Sequence, residues 1–117
     1  MAKYFINPQT DEITLRFAYH PDRDDMQLLA DGQEAPEGYD AQWVTFRKPG
    51  WGDEVELIEQ SSRPTEAGEI VLDPIMLLEN RVRLLLKAWS WAEPIEQLDC
   101  IDPRIMMRVA VELGRRV

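Results

Sequence analysis

The sequence predicts an α+β protein: an N-terminal β-hairpin and one further strand, followed by two or three α-helices. Three observations point to this class. Residues Ile13 to Tyr19 alternate without a break between two sets of side chains, the period-two signature of a strand with one face covered. Acidic stretches rich in Pro and Gly then cut the middle of the chain into short pieces. Finally, Leu72-Asp73-Pro74 and Ile101-Asp102-Pro103 repeat one helix-start device. An Asp at the N-cap accepts orphan backbone N–H bonds, and a Pro at N1 needs no donor there. The 117 residues suit a single domain, 1–117. Within it, 1–60 form an acidic β-rich part, 61–69 a linker and 70–117 a helical part.

The hairpin is expected over roughly residues 3–20. Period two sets Ile13, Leu15, Phe17 and Tyr19 against Thr14, Arg16 and Ala18, and Tyr4-Phe5-Ile6 supplies a short apolar run before them. Between the runs, Asn7-Pro8-Gln9-Thr10-Asp11 carries turn chemistry, since Pro fixes φ and Asn or Asp side chains bond nearby backbone. Residues 20–41 read as an acidic loop, with Met26-Gln27-Leu28-Leu29-Ala30 as one helical turn or a short strand inside it. Gln42 to Arg47 is a strand stopped by Lys48-Pro49-Gly50. Asp53 to Gln60 reads as a short helix with Asp53 as N-cap, an edge strand being the alternative. The two Asp-Pro helices are expected over about 74–90 and 103–113. Gly114 suits the C′ position, and Arg115-Arg116 the negative end of the dipole.

On the first long helix, a rotation of about 100° per residue gathers Ile75, Leu78, Val82, Leu85, Leu86 and Trp89 into a core stripe. Glu79, Arg83 and Lys87 form a solvated ladder. Leu77 and Leu84 lie nearly opposite, and Trp91 extends that line if the helix lasts so far. The second helix keeps Arg104, Arg108 and Glu112 on one narrow line and is apolar around most of the rest, including Met106 and Met107. Helices apolar on two sides must be covered twice. Either both lie centrally in a compact core, or Leu77, Leu84 and Trp91, or Met106 and Met107, meet another subunit or a client. Methionine thioethers fill irregular contacts well but are also ordinary core fillers. Among the four tryptophans, Trp43 and Trp89 are expected to pack internally. Trp51, between two glycines, is the candidate exposed anchor.

Charge narrows the function classes. The net charge is −9. Residues 1–69 hold 6 Lys/Arg and 15 Asp/Glu, whereas 70–117 hold 7 of each. All the excess acid therefore sits in the first part, which disfavours nucleic-acid phosphates and anionic membranes as partners. Met1 to Asn7 lacks the long apolar run of a signal peptide, and Glu79, Arg81, Arg83 and Lys87 interrupt the longest apolar stretch. The single cysteine, Cys100, suits a reducing compartment and reads as a small buried or half-buried hydrophobe. A cytoplasmic protein is expected.

No residue set points to catalysis, a cofactor or a metal, so an enzyme is not expected. His20 has Asp22, Asp24 and Asp25 nearby, but counting a calcium loop from Asp22 puts Gln27 at its glycine position and Gln33 at its glutamate position. Gly50-Trp51-Gly52 lacks the Lys and Ser/Thr of a phosphate loop. What remains is protein–protein contact.

The run Trp43-Val44-Thr45-Phe46-Arg47-Lys48-Pro49-Gly50-Trp51-Gly52-Asp53-Glu54, then a Pro-started helix through Leu84-Leu85-Leu86-Lys87-Ala88-Trp89-Ser90-Trp91, then Ile101-Asp102-Pro103-Arg104-Ile105, resembles the tail assembly chaperones of long-tailed bacteriophages over about residues 42–113. The resemblance implies a non-enzymatic protein of the host cytoplasm, often oligomeric, that binds the tape-measure protein and helps recruit tail-tube subunits. Some members of that family also exist in a longer frameshifted form. Two other classes fit the acidic composition: a nucleic-acid mimic that inhibits a host enzyme, and a virion connector or tail-completion protein.

Overall fold

The computed structural model describes residues 4–117, and the fold is α+β. Strands β1 (Glu12–His20), β2 (Asp25–Leu29) and β3 (Asp40–Arg47) belong to a four-stranded antiparallel sheet. Helix α1 (Trp51–Gln60) follows, then a two-stranded ribbon of β4 (Ser62–Pro64) and β5 (Ile70–Leu72). Helix α2 (Pro74–Leu85) runs directly into β6 (Leu86–Trp89), which completes the sheet in the order β2-β1-β3-β6. A 3-10 helix (Ile95–Cys100) leads to α3 (Pro103–Arg116).

The alternation in β1 does what its period predicts. Leu15 and Phe17 of β1 join Val44 and Phe46 of β3 on one sheet face, all fully buried. Val82 and Leu85 of α2, Val109, Ala110 and Leu113 of α3, and Trp89 of β6 complete that core. Each such large side chain contributes about 1.5–3 kcal/mol by leaving water. The opposite face is mostly polar. There the Thr14 and Thr45 hydroxyls bond at 2.9 Å, and the Arg16 guanidinium donates to the carbonyls of Ala30 (2.9 Å) and Gln33 (3.2 Å).

Both Asp-Pro starts form as expected. Asp73 Oδ1 accepts from the Ile75 and Met76 amides at 3.0 and 3.2 Å, and Asp102 Oδ1 from the Arg104 amide at 2.9 Å. Backbone bonds hold the Asp73 carboxyl below the usual carboxylate range, and the Arg104 guanidinium does the same for Asp102.

Several expectations are corrected. Tyr4 and Phe5 are exposed and Tyr4-Phe5-Ile6 is not a strand; residue 3 of the expected hairpin lies outside the described residues. The Asn7–Asp11 turn does form, with the Asn7 carbonyl accepting from Thr10 and Asp11. It leads into β1, whose partners are β2 and β3. Of the two readings of Met26 to Ala30 the short strand is the one formed, as β2, and the hairpin bends at Asp24, whose φ of 48° lies in the left-handed region that Asp tolerates. Helix α1 starts two residues before Asp53, with Gly50 at the N-cap. Asp53 instead accepts from the Gly50 amide at 3.0 Å and from Arg47 at 2.6 and 2.9 Å. The linker 61–69 holds β4 and a turn at Gly68, and the part expected to be helical opens with strand β5.

The largest correction concerns the first long helix. It ends at Leu85, and Leu86 to Trp89 are extended because the outer edge of β3 needs backbone partners: Val44 pairs with Trp89, Thr45 with Ala88 and Phe46 with Leu86. Lys87 therefore leaves the helical ladder and pairs with Glu12, while Glu79 and Arg83 stay paired at 3.1 Å. Ile75 is exposed rather than in the core stripe. In α3, Gly114 is inside the helix rather than after it. A Cβ there would stand 3.3 Å from an Arg81 guanidinium nitrogen and 3.8 Å from a Leu78 methyl, so Gly114 faces side chains of α2 and no backbone. Trp89 is buried as expected, whereas Trp43 is partly exposed on the polar sheet face and Cys100 is exposed. Among the described residues no helix is long and apolar enough to cross a membrane.

A candidate protein-interaction surface

The segment from α1 through β5 into the start of α2 has little core of its own. Only Leu57 and Ser61 are buried between residues 51 and 76. Asn80 of α2 ties this segment down, its amide donating to Ser61 Oγ at 3.1 Å and the Gln60 carbonyl at 3.4 Å. The Ser61 carbonyl in turn accepts from the Asp73 amide at 2.8 Å. The radius of gyration, 16.1 Å, exceeds the roughly 13 Å of a spherical domain of this length, which fits a thin, spread-out arrangement.

Large apolar side chains are consequently left in water there: Trp51 (85 % exposed), Ile58 (53 %), Ile70 (77 %) and Ile75 (66 %), with Val55, Val71, Leu72 and Met76 also exposed. Scattered exposed apolar residues are ordinary, but a concentration on consecutive elements marks a contact surface.

Beside it, an apolar groove of about 230 Å³ runs between α2, the 3-10 helix and α3, with Ile75, Leu78, Leu98, Ile101, Met106 and Met107 among its walls. Its charged rim is internally paired, since Arg83 bridges Glu79 and Asp99. Ile75 belongs to both features, which places the start of α2 where they meet.

Of the sequence-predicted contact residues, Trp51 is the one placed fully in solvent. Met106 and Met107 line the groove, Met107 half exposed and Met106 packed partly on the core. Leu77, Leu84 and Trp91 do not form one stripe. Leu77 and Leu84 are half-buried on α2, Leu84 against the core. Trp91 lies beyond the helix, edge-on to Trp89 at 5.3 Å between ring centroids and 5.9 Å from Phe17. Val55 and Ile58 were missed by sequence reasoning. Their signal was present: together with Trp51 they recur at the i, i+4, i+7 spacing of one helix face.

The acidic turn next to His20 is occupied by internal contacts. Tyr19 donates to Asp24 at 3.0 Å, and Arg104 and Arg108 lie 3.4 and 3.7 Å from that carboxylate. Tyr39 donates to Asp25, which lowers the Asp25 pKa and raises that of the phenol. No group of three or more His, Cys, Asp or Glu side chains among the described residues is arranged to hold a metal ion. The chain matches no known family, no curated protein and no solved structure.

Proposed function

We propose that this protein is a non-enzymatic assembly chaperone of the long-tailed-phage type, which holds the tape-measure protein soluble in the host cytoplasm and helps bring tail-tube subunits to it. The observation that carries this reading is the exposed apolar set Trp51, Ile58, Ile70 and Ile75, displayed by a chain of net charge −9. An apolar face captures an aggregation-prone client, and the surrounding acid keeps the complex in solution. The adaptable Met106–Met107 wall of the neighbouring groove extends the same surface, and a second copy of the chain is a further occupant for that groove. The pairing of Asp24 and Asp25 with arginines and tyrosine gives less support to a nucleic-acid mimic, which needs carboxylates facing outward.

Co-expression with the tape-measure protein tests the reading. The soluble fraction of that protein is expected to rise several-fold, and the two are expected to co-purify. No gain in solubility and no complex would sink it. Purified virions should lack this chain, and its presence there would favour a connector instead.

A further inference from the structure

We propose that the outer face of α1 is a docking strip for a basic amphipathic helix of the partner protein. The proposal rests on the chaperone reading for the partner's identity, but on α1 alone for the partner's chemistry.

Trp51, Val55 and Ile58 fall within about 60° of one another around the axis and span about 10 Å along it. Leu57, the buried residue of the helix, lies about 120° away from Trp51 and turns to the body of the protein. Glu54 flanks the exposed stripe on one side and Glu59 on the other, and α1 contains no Lys or Arg. The ion pairs among the described residues run through neither of these glutamates. An apolar seam bordered by unpaired acid calls for its complement: a helix with apolar residues at i, i+3 or i+4, and i+7, bordered by Lys or Arg.

A second copy supplies this poorly. Its own α1 would set glutamate against glutamate. Its cationic helix, α3, has its arginines engaged at home: Arg104 with Asp102 and Asp24, Arg108 with Asp24, and Arg115 and Arg116 with Glu112. The charge pattern therefore favours a different, basic chain.

The test uses a labelled amphipathic peptide of about 18 residues, long enough to hold a helix, built from Leu, Ala and Lys, and a twin with every Lys replaced by Glu. Fluorescence anisotropy at about 0.15 M salt, where distant charges are screened, gives the affinities. The Lys peptide is expected to bind at least about tenfold more tightly than its twin. Glu54→Lys with Glu59→Lys should reverse that preference, and Trp51→Ala should weaken Lys-peptide binding by about tenfold. The control pair Asp31→Lys with Glu34→Lys, which changes net charge equally, should leave binding unchanged. Circular dichroism verifies that each variant is folded, and Trp51→Ala leaves every charge of the strip in place. Equal losses in the two double variants, or none with Trp51→Ala, would overturn the proposal in favour of diffuse charge attraction. Self-association of the wild type that Ile58→Ala abolishes would overturn it in favour of a second copy.

Co-expression separates the two readings. If Glu54→Lys with Glu59→Lys still solubilises the tape-measure protein as well as the wild type does, the strip is wrong and the chaperone reading stands. A wild type that selects the Lys peptide through the strip but leaves the tape-measure protein insoluble overturns only the chaperone reading.

Discussion

The Asp24 carboxylate lies 3.4 Å from Arg104 and 3.7 Å from Arg108, fastening the turn between the first two strands to the first two turns of α3. The Asp24 carbonyl accepts from Arg108 as well, at 3.4 Å. Two arginines that the sequence sets on one narrow charged line of the helix thus hold the last helix against the first hairpin.

Asp24→Asn keeps a residue tolerant of the left-handed conformation and removes only the charge. Because the arginines are about half solvent-exposed, the expected loss is modest, about 0.5–1 kcal/mol. Thermal unfolding should show a fall of a few degrees that shrinks with added salt. A salt-independent loss would mean that the Tyr19 bond, rather than the ion pairs, holds the turn.

Asp73 gives a pH signature. Its folded pKa is lowered by the Met76 and Ile75 amides, so the unfolded chain binds the proton first as pH falls. The stability it contributes is fully present above the unfolded value, near 3.9, and is lost as pH drops through the lowered folded value. Asp73→Asn keeps a competent N-cap without a titrating group. The wild type should therefore melt higher than this variant at neutral pH, and the gap should close below about pH 4. A gap that stays constant down to strongly acid pH contradicts the assignment.

Gly114 offers a gain. Ala at this position raises helix propensity by about 1 kcal/mol, and the atom it would crowd is the flexible tip of Arg81 rather than backbone. Gly114→Ala should raise Tm, whereas Gly114→Leu should lower it by prising α3 from α2. Denaturant titration of both variants decides the matter. A destabilised alanine variant would show that the Arg81 tip is fixed.

The tryptophans should separate cleanly. Trp51→Phe is expected to change stability by less than about 0.5 kcal/mol while shifting the total emission to shorter wavelength, because the lost emitter stands in water. Trp89→Ala should cost about 3–5 kcal/mol, since that ring is buried and its Nε1 donates to the Glu93 carbonyl at 2.6 Å. A red-shifted spectrum in Trp51→Phe would place Trp51 in an apolar site.

What could be read beforehand was local. Ile13 to Tyr19 declared their alternation, Asp73 and Asp102 announced helix starts, and the exposure of Trp51 between glycines was legible. What could not be read depended on distant partners. Leu84-Leu85-Leu86 continues a helical pattern and a strand pattern equally well, and only the open edge of β3 decides that the chain extends after Leu85. Treating that stretch as one long helix put the spare apolar surface on Leu77, Leu84 and Trp91. It lies instead on α1 and β5, where sequence alone does not reveal how little covers them. Strand β2 was one of two readings of Met26 to Ala30 and needed its pairing with β1 to decide it: Leu29 is buried on the mostly polar sheet face, near the loop that Arg16 pins, which blurs its period.

The change from helix to strand between Leu85 and Leu86 occurs without a single intervening loop residue. A connection with no slack transmits force. Ile75, where the two apolar features meet, and the β3–β6 ladder thus sit at the two ends of one uninterrupted helix-to-strand run. A load on the Ile75 end should therefore first be felt as faster amide exchange at Ala88 and Trp89, at the far edge of the sheet.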